Sequence, residues 1–272
     1  MQIGIGAWRW AQHYTKQNQR LEDHYDEALA SVKAAGADSF EPFLPVEEAD
    51  KERLIIALQK HSLAMPSTYR NIRLHEPDAE KSFEEVLASA RWAYGMGASR
   101  LTINAEPIAW GKPLDKTDEQ LIRQIHALNA LSKALMDDGI TVAYHIHDAE
   151  FRQGAREFHA MLNHVRAGFC FDPHWVYRGC GNSTLAVQSV LHLYGSRLQA
   201  LHLRQSEGGV FTETFQQVGD IDYTDISAFV RAHCPHIPIF VEQGWETGTP
   251  ETLTRAESDR RSVAAARALV GG

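Results

Sequence analysis

Short apolar runs recur eight times along the chain, at about 2–6, 38–43, 63–68, 99–104, 140–146, 167–172, 198–203 and 237–242. Each is five to seven residues long and either solidly apolar or alternating, the signature of a buried strand. The segments between them carry a different period. From Leu21 to Ala35, the residues Leu21, Tyr25, Ala28, Leu29, Val32 and Ala35 fall three and four apart, and Gly36 supplies a stop. Pro77 to Tyr94 repeats this with Phe83, Val86, Leu87, Ala90 and Tyr94, and Asp118 to Asp137 with Leu121, Ile125, Leu128, Leu131 and Leu135. Strands alternating with helices imply a parallel sheet. Eight such units favour a closed (β/α)8 barrel over an open doubly wound sheet, and 272 residues exceed the roughly 250 that such a barrel needs. No linker, charge block or low-complexity tract interrupts the pattern, so residues 1–272 read as one domain.

Four of the last apolar runs end in polar punctuation. TVAYHIHD ends in His145 and His147, AGFCFDPHW in Asp172 and His174, LQALHLRQS in His202, and PIFVEQ in Glu242. In a parallel barrel those C-terminal ends converge on one mouth, where such barrels carry their chemistry. Period-two alternation puts His145 and His147 on one side of their strand, and likewise Ala200, His202 and Arg204, and Phe240, Glu242 and Gly244. One inward residue from each of four adjacent strands gives His145, Asp172, His202 and Glu242. That is an N2O2 donor set suited to one divalent ion, Mn2+, Co2+, Zn2+ or Fe2+. His164, His174, His233 and His236 read as surface or supporting histidines, and Cys170 as core packing.

Composition narrows the classes. The 27 Lys and Arg against 35 Asp and Glu give a formal charge of −8, which argues against a broad nucleic-acid face. Three cysteines without CxxC spacing argue against a disulfide framework and for a reducing compartment. The start, MQIGIGAWRW, lacks a signal-peptide pattern, and no run approaches the roughly 18 apolar residues of a membrane span. A cytoplasmic protein with a small-molecule partner is the expectation; a homo-oligomer stays open.

At these same residues the chain resembles a known family. FDPHW, LHLRQS followed by VGDIDY, and FVEQ are similar to the last three strand ends of the xylose-isomerase-like barrels, which group sugar isomerases and epimerases, inosose dehydratases and endonuclease IV. GADSFE, ending at Glu41, resembles that family's second strand and IGIGAW its first. YHIHDAEF is similar to the YHNHDFEF signature of its sugar phosphate isomerase or epimerase branch, as is the spacing of Asp172 and Trp175. The resemblance implies a metal-dependent sugar, keto-sugar or sugar phosphate isomerase or epimerase. Two departures qualify it. Many of the family's epimerases place a Glu ligand on strand five, where this chain has His145, and the usual His-x-Lys-Asp of strand seven is here His202, Leu203, Arg204 and Gln205. Glu150, on the loop beyond, is the nearest carboxylate that could replace the missing one as ligand or base; its competing reading is a helix N-terminal charge.

Trp8, Trp10, Glu41, Tyr69, Arg70, Glu106, Trp110, Trp175 and Arg204 all fall at or just past expected strand ends. Indoles beside carboxylates suit a sugar, whose C–H face packs on aromatics while its hydroxyls need polar partners. We therefore expect Trp8, Glu41, Glu106, Glu150, Trp175 and Arg204 to face a carbohydrate. Glu242 is expected to act as ligand and proton carrier, with His147 serving the other substrate oxygen. A dehydratase acting on an inosose or keto-sugar shares the enediolate step and is the close alternative. A DNA-repair endonuclease would need more His and Glu ligands and a basic face, and a non-catalytic sugar-binding barrel would have lost the metal.

Overall fold

The computed structural model describes residues 1–271. Eight parallel strands form the barrel: β1 (Ile3–Gly6), β2 (Ser39–Glu41), β3 (Ser67–Ile72), β4 (Arg100–Ala105), β5 (Thr141–His145), β6 (Gly168–Phe171), β7 (Leu198–Leu203) and β8 (Ile239–Val241). Neighbours pair in parallel from β3 through β7, then to β8, β1 and β2. The last seam, β2 against β3, closes through isolated bridges Ser39–Ala64 and Phe43–Tyr69, with Tyr69 N donating to Pro42 O at 2.9 Å. Among the described residues ten α-helices pack outside: α1 (Trp8–Thr15), α2 (Tyr25–Ala34), α3 (Glu48–His61), α4 (Phe83–Gly95), α5 (Asp118–Asp137), α6 (Arg152–His164), α7 (Pro173–Gly179), α8 (Thr184–Tyr194), α9 (Thr224–His233) and α10 (Arg255–Gly271). A two-strand hairpin, Ser206–Glu207 with Val210–Phe211, follows β7. Among the described residues, no helix is long and apolar enough to cross a membrane.

Local signals explain the boundaries. Thr117 accepts from Gln120 N while Gln120 Oε1 accepts from Thr117 N, a capping box that starts α5 at the expected Asp118. The one strand misplaced by the sequence pattern is β3, expected at 63–68 and found at Ser67–Ile72. Pro66 has no N–H to give a ladder, so pairing with β4 begins only after it. Tyr69 and Arg70 therefore lie inside the strand, and alternation turns Arg70 outward to Glu85 on α4 at 3.2 Å.

Alternation also divides the core into two environments. Outward residues such as Ile3, Leu101, Ile103, Val142, Phe169, Leu201 and Ile239 are buried against the helices. The inward layer is small: Ala143, Cys170 and Ala200 pack together, beside Ser67 and Thr102, whose hydroxyls lie 3.1 Å apart. Phe240 is the exception in size, and Gly4 makes room for it. A Cβ on Gly4 would stand 2.6 Å from the Phe240 ring and 2.4 Å from Ser39 Oγ; one on Gly6 would stand 2.7 Å from Glu242 Cγ. Small residues below and glycines on β1 thus leave the upper barrel free for long polar side chains.

Gly4→Val is expected to destabilise the protein by about 3 kcal/mol, because no flexible neighbour can yield. Gly95→Ala is the matched control, since nothing lies within 4 Å of its Cβ position. Urea unfolding of both should show a lowered midpoint for the first and an unchanged or raised one for the second; equal midpoints would refute the packing argument.

Candidate active site

The strand ends bring His145, Asp172, His202 and Glu242 together, with one donor atom from each within 4.8 Å of the others. All four are buried. His145 Nε2 lies 3.8 Å from Asp172 Oδ2, and His202 Nδ1 3.4 Å from Glu242 Oε2. Both ring nitrogens of both histidines are buried without a hydrogen-bond partner. Orphaned donors and acceptors of this kind are costly in a protein interior, and one nitrogen from each ring beside the two carboxylates fits a cation.

Two groups beneath and beside the cluster orient it. Glu41 is fully buried behind His202, its Oε2 2.9 Å from His202 Nε2 but out of line for a full hydrogen bond, while its Oε1 accepts from Thr102 Oγ1 at 3.1 Å. This carboxylate–imidazole pairing turns Nδ1 of His202 toward the cluster, as outer carboxylates do for metal-binding histidines. Arg204, two residues further on β7's exit, donates from Nε to Asp172 at 3.2 Å and from Nη2 to Glu242 at 2.5 Å. Its guanidinium lies between the rings of Trp175 and Phe211, 5.1 Å from each. Tyr223, from VGDIDY, fixes the Arg204 backbone by donating to its O at 2.5 Å, and Asp220 orders the hairpin by accepting from Ser206 Oγ, Gly208 N and Gly209 N.

Charges follow from these contacts. Burial opposes ionisation of Glu242, yet His202 and Arg204 outweigh it and hold its pKa at about 2; burial likewise opposes ionisation of Asp172, but Arg204 and His145 hold it far below the usual range. Burial lowers the pKa of His145 and, more strongly, that of His147, so both stay neutral near pH 7. His202 goes the other way: burial disfavours its imidazolium, but Cys170, Glu242 and Glu41 around it prevail. Without a metal, His202 keeps a proton that a bound cation would displace.

A cavity of about 460 Å³ opens above the cluster. Trp8, Phe43, Tyr69, Trp110, Trp175, Phe211 and Trp245 form its apolar walls, with His147, Arg204 and Glu242 toward the floor. His147 stands between Trp110 and Trp175, ring centroids 5.0 and 4.9 Å away, and its Nδ1 lies 2.9 Å from Asn104 Nδ2.

Trp8, Trp175 and Arg204 line this cavity; three carboxylates expected to face substrate do not. Glu41 sits one layer too deep. Glu106 lies on the rim, 3.4 Å from Arg73 Nε. Glu150 points away from the mouth: its Oε2 accepts from His147 N at 3.1 Å, the capping role that competed with a catalytic one in the sequence. Trp10 is buried against α10, its Nε1 donating to Asp259 at 3.1 Å. His174 is buried against Phe211 rather than exposed. The sequence pattern did not mark Asn71, hidden by the misplaced third strand, Phe211, in the hairpin after β7, or Trp245, in the loop after β8. It also missed Asn104, whose inward parity on β4 was a usable signal.

Burial, reinforced by Glu157 and relieved by Lys116, pushes the Glu150 carboxyl up to about 8. The folded state then holds a proton that the unfolded chain releases above about pH 4.3. Stability from this group is therefore present below that pH and declines as pH rises toward 8. Glu150→Gln should flatten the decline, seen by urea unfolding at pH 5 and pH 8.5. An unchanged difference between the two pH values would rule this out.

Comparison with known proteins gives the geometry its context. No protein of curated function matches the chain. The structure is similar to a sugar phosphate isomerase/epimerase from Parabacteroides distasonis (TM-score 0.72, 14% identity, 99% of this chain and 94% of that one). It is also similar to D-allulose 3-epimerase from Methylomonas sp. in complex with D-allulose (0.70, 19%, 100% and 96%). A third similar structure is 3-keto-D-glucoside 4-epimerase from E. coli (0.66, 16%, 98% and 99%). At these identities the likeness is one of fold. The sequence itself matches the model of the xylose isomerase-like TIM barrels over residues 29–262, most of its length, and the chain belongs to that family.

Proposed function

We propose that the protein is a metal-dependent isomerase or epimerase of a sugar, keto-sugar or sugar phosphate. The observation that carries this reading is the meeting of His145, Asp172, His202 and Glu242 at the floor of an aromatic cavity large enough for a monosaccharide. Three buried carboxylates, Glu41, Asp172 and Glu242, share the region with one guanidinium, that of Arg204, bonded to Asp172 and Glu242, which formally leaves two negative charges. A single divalent ion with neutral histidines balances them. Such an ion would supply Lewis acidity, polarising a substrate carbonyl and acidifying the adjacent C–H.

The protein's own groups do the rest. The tryptophans pack on the C–H face of the sugar and exclude water. Glu242, ionised, accepts the proton. Its low pKa makes it a weak base while Arg204 is bonded to it, so substrate oxygens that draw the guanidinium away strengthen it. His147 is neutral, and with Asn104 donating to Nδ1 its Nε2–H is left to donate to a substrate oxygen. Among the described residues lining the cavity, the other carboxylate is Glu246, held by Arg178 at 2.6 and 2.9 Å. A second, opposed carboxylate for two-sided inversion is therefore missing. One-sided proton transfer favours aldose–ketose isomerisation, with syn elimination of a β-hydroxyl, a dehydratase reaction, as the second reading.

About one Mn2+ or Co2+ per chain is expected in elemental analysis after reconstitution, and an Asp172→Ala, Glu242→Ala double variant should lose it. Full metal retention in that variant would remove the basis of the proposal. Glu242→Gln should lower kcat by about 10² to 10⁴ while binding metal better than Glu242→Ala; a wild-type rate would move the base elsewhere. In D2O, free fructose, tagatose and psicose should exchange and invert slowly at C3. Rapid C3 deuteration with epimer formation would instead establish a second acid.

A further inference from the structure

Directly below the proposed metal cluster lies a second donor set that the catalytic reading leaves unused. Cys170 precedes Asp172 by two residues on β6 and points into the barrel, in the small-residue layer with Ala143 and Ala200. It pairs across strands with His145 on one side and Ala200 on the other. One donor atom each from His145, Cys170 and His202 lies within 4.8 Å of the others, and all three residues are buried. The imidazole nitrogens lack hydrogen-bond partners, as does Glu41 Oε2, 2.9 Å from His202 Nε2. The cluster is thus two histidines and a thiol among methyl-sized neighbours, with an orphaned carboxylate oxygen standing on one of the imidazoles.

We propose that this deeper set, His145, Cys170 and His202, with water completing the shell, is a distinct site for thiophilic divalent ions such as Cd2+, Zn2+ and Co2+. Thiolate sulfur prefers soft or borderline ions, whereas the Asp172 and Glu242 oxygens above suit Mn2+. Donors around a tetrahedral ion at Zn–N and Zn–S lengths stand about 3.4–3.6 Å apart, so modest side-chain rotation closes the present spacing. Forming the metal–sulfur bond releases the thiol proton to solvent. Both positions draw on His145 and His202 and lie so close together that two divalent charges repel strongly, so a soft ion below competes with a hard ion above. The site rests on the catalytic reading only in sharing these two histidines. Its consequence is metal selectivity: thiophilic ions act as tight competitors of the catalytic ion.

The test uses the full chain stripped with a chelator. Co2+ added to the wild type should give a thiolate-to-cobalt charge-transfer band in the near ultraviolet, lost in both Cys170→Ser and Cys170→Ala. Bound Mn2+, followed by electron paramagnetic resonance, should persist in both variants, which also reports their folding. Cd2+ should displace Mn2+ from the wild type at roughly tenfold lower concentration than from Cys170→Ser. Three results overturn the proposal: no charge-transfer band in the wild type, whether or not Co2+ binds; a band that survives in both variants and so arises from Cys180 or Cys234; or equal Cd2+ competition in all forms. Mn2+ binding that fails while the cobalt–thiolate band appears would sink the catalytic reading and leave this one standing.

Discussion

Buried charge at the barrel mouth has to be balanced, and the loops around the mouth are built to meet that requirement. Glu41, Asp172 and Glu242 are taken out of water on neighbouring inward positions, a cost of several kcal/mol per unpaired ion. Arg204 meets part of it, bonded to two of the three, and is itself held by Tyr223 and by the faces of Trp175 and Phe211. The loop after β7 is arranged around that one side chain: Asp220 ties its hairpin, and Gln205 and Gln243 exchange hydrogen bonds that join the exits of β7 and β8. The charge Arg204 does not cancel is the electrostatic basis of the proposed cation site.

The lower barrel makes this cluster sterically feasible. Barrel interiors are usually filled by layers of bulky branched side chains. Here Gly4, Ser39, Ser67, Thr102, Ala143, Cys170 and Ala200 occupy the inner positions, and Phe240 fills the space they leave. A smaller layer lets Glu41 and the two imidazoles sit low, near the barrel axis, while Gly6 clears the path for Glu242. Stability is carried instead by the outward face, where the aliphatic and aromatic strand residues meet the helices. Separating the two tasks allows the inner face to hold polar atoms that would weaken an ordinary core.

A third feature links the site to its surroundings. His147 is positioned from both sides, by Asn104 on β4 and by Glu150 through its backbone N–H. Glu150 in turn belongs to a buried polar group behind β5 that includes Glu157, bonded to Lys116 at 2.5 Å and to Gln124 at 2.8 Å. A residue at the mouth is thereby coupled to a network between barrel and helices, which explains why a carboxylate so near the site in sequence serves it structurally.

Period and alternation make much of this legible in the order of residues alone. Eight apolar runs with intervening helical periods specify the parallel barrel, and strict alternation along β5, β7 and β8 puts His145, His202 and Glu242 on its inner face, because side-chain direction in a strand is fixed by parity. Asp172 followed by Pro173 marks its strand end just as locally, and the family motifs agree. Depth and partnership were not legible. Glu41, Glu106 and Glu150 read alike as carboxylates at strand ends, but one lies behind His202, one on the rim and one outside the barrel, since reach depends on strand stagger and on which neighbour claims the charge. The same holds for Arg204, whose parity showed that it faces inward but not that it bridges Asp172 and Glu242. Cys170 read as packing, and it does pack against Ala143 and Ala200. Parity along each strand fixes which residues point inward; which of them touch is set by closure of the barrel, because that closure brings together strands far apart in the chain.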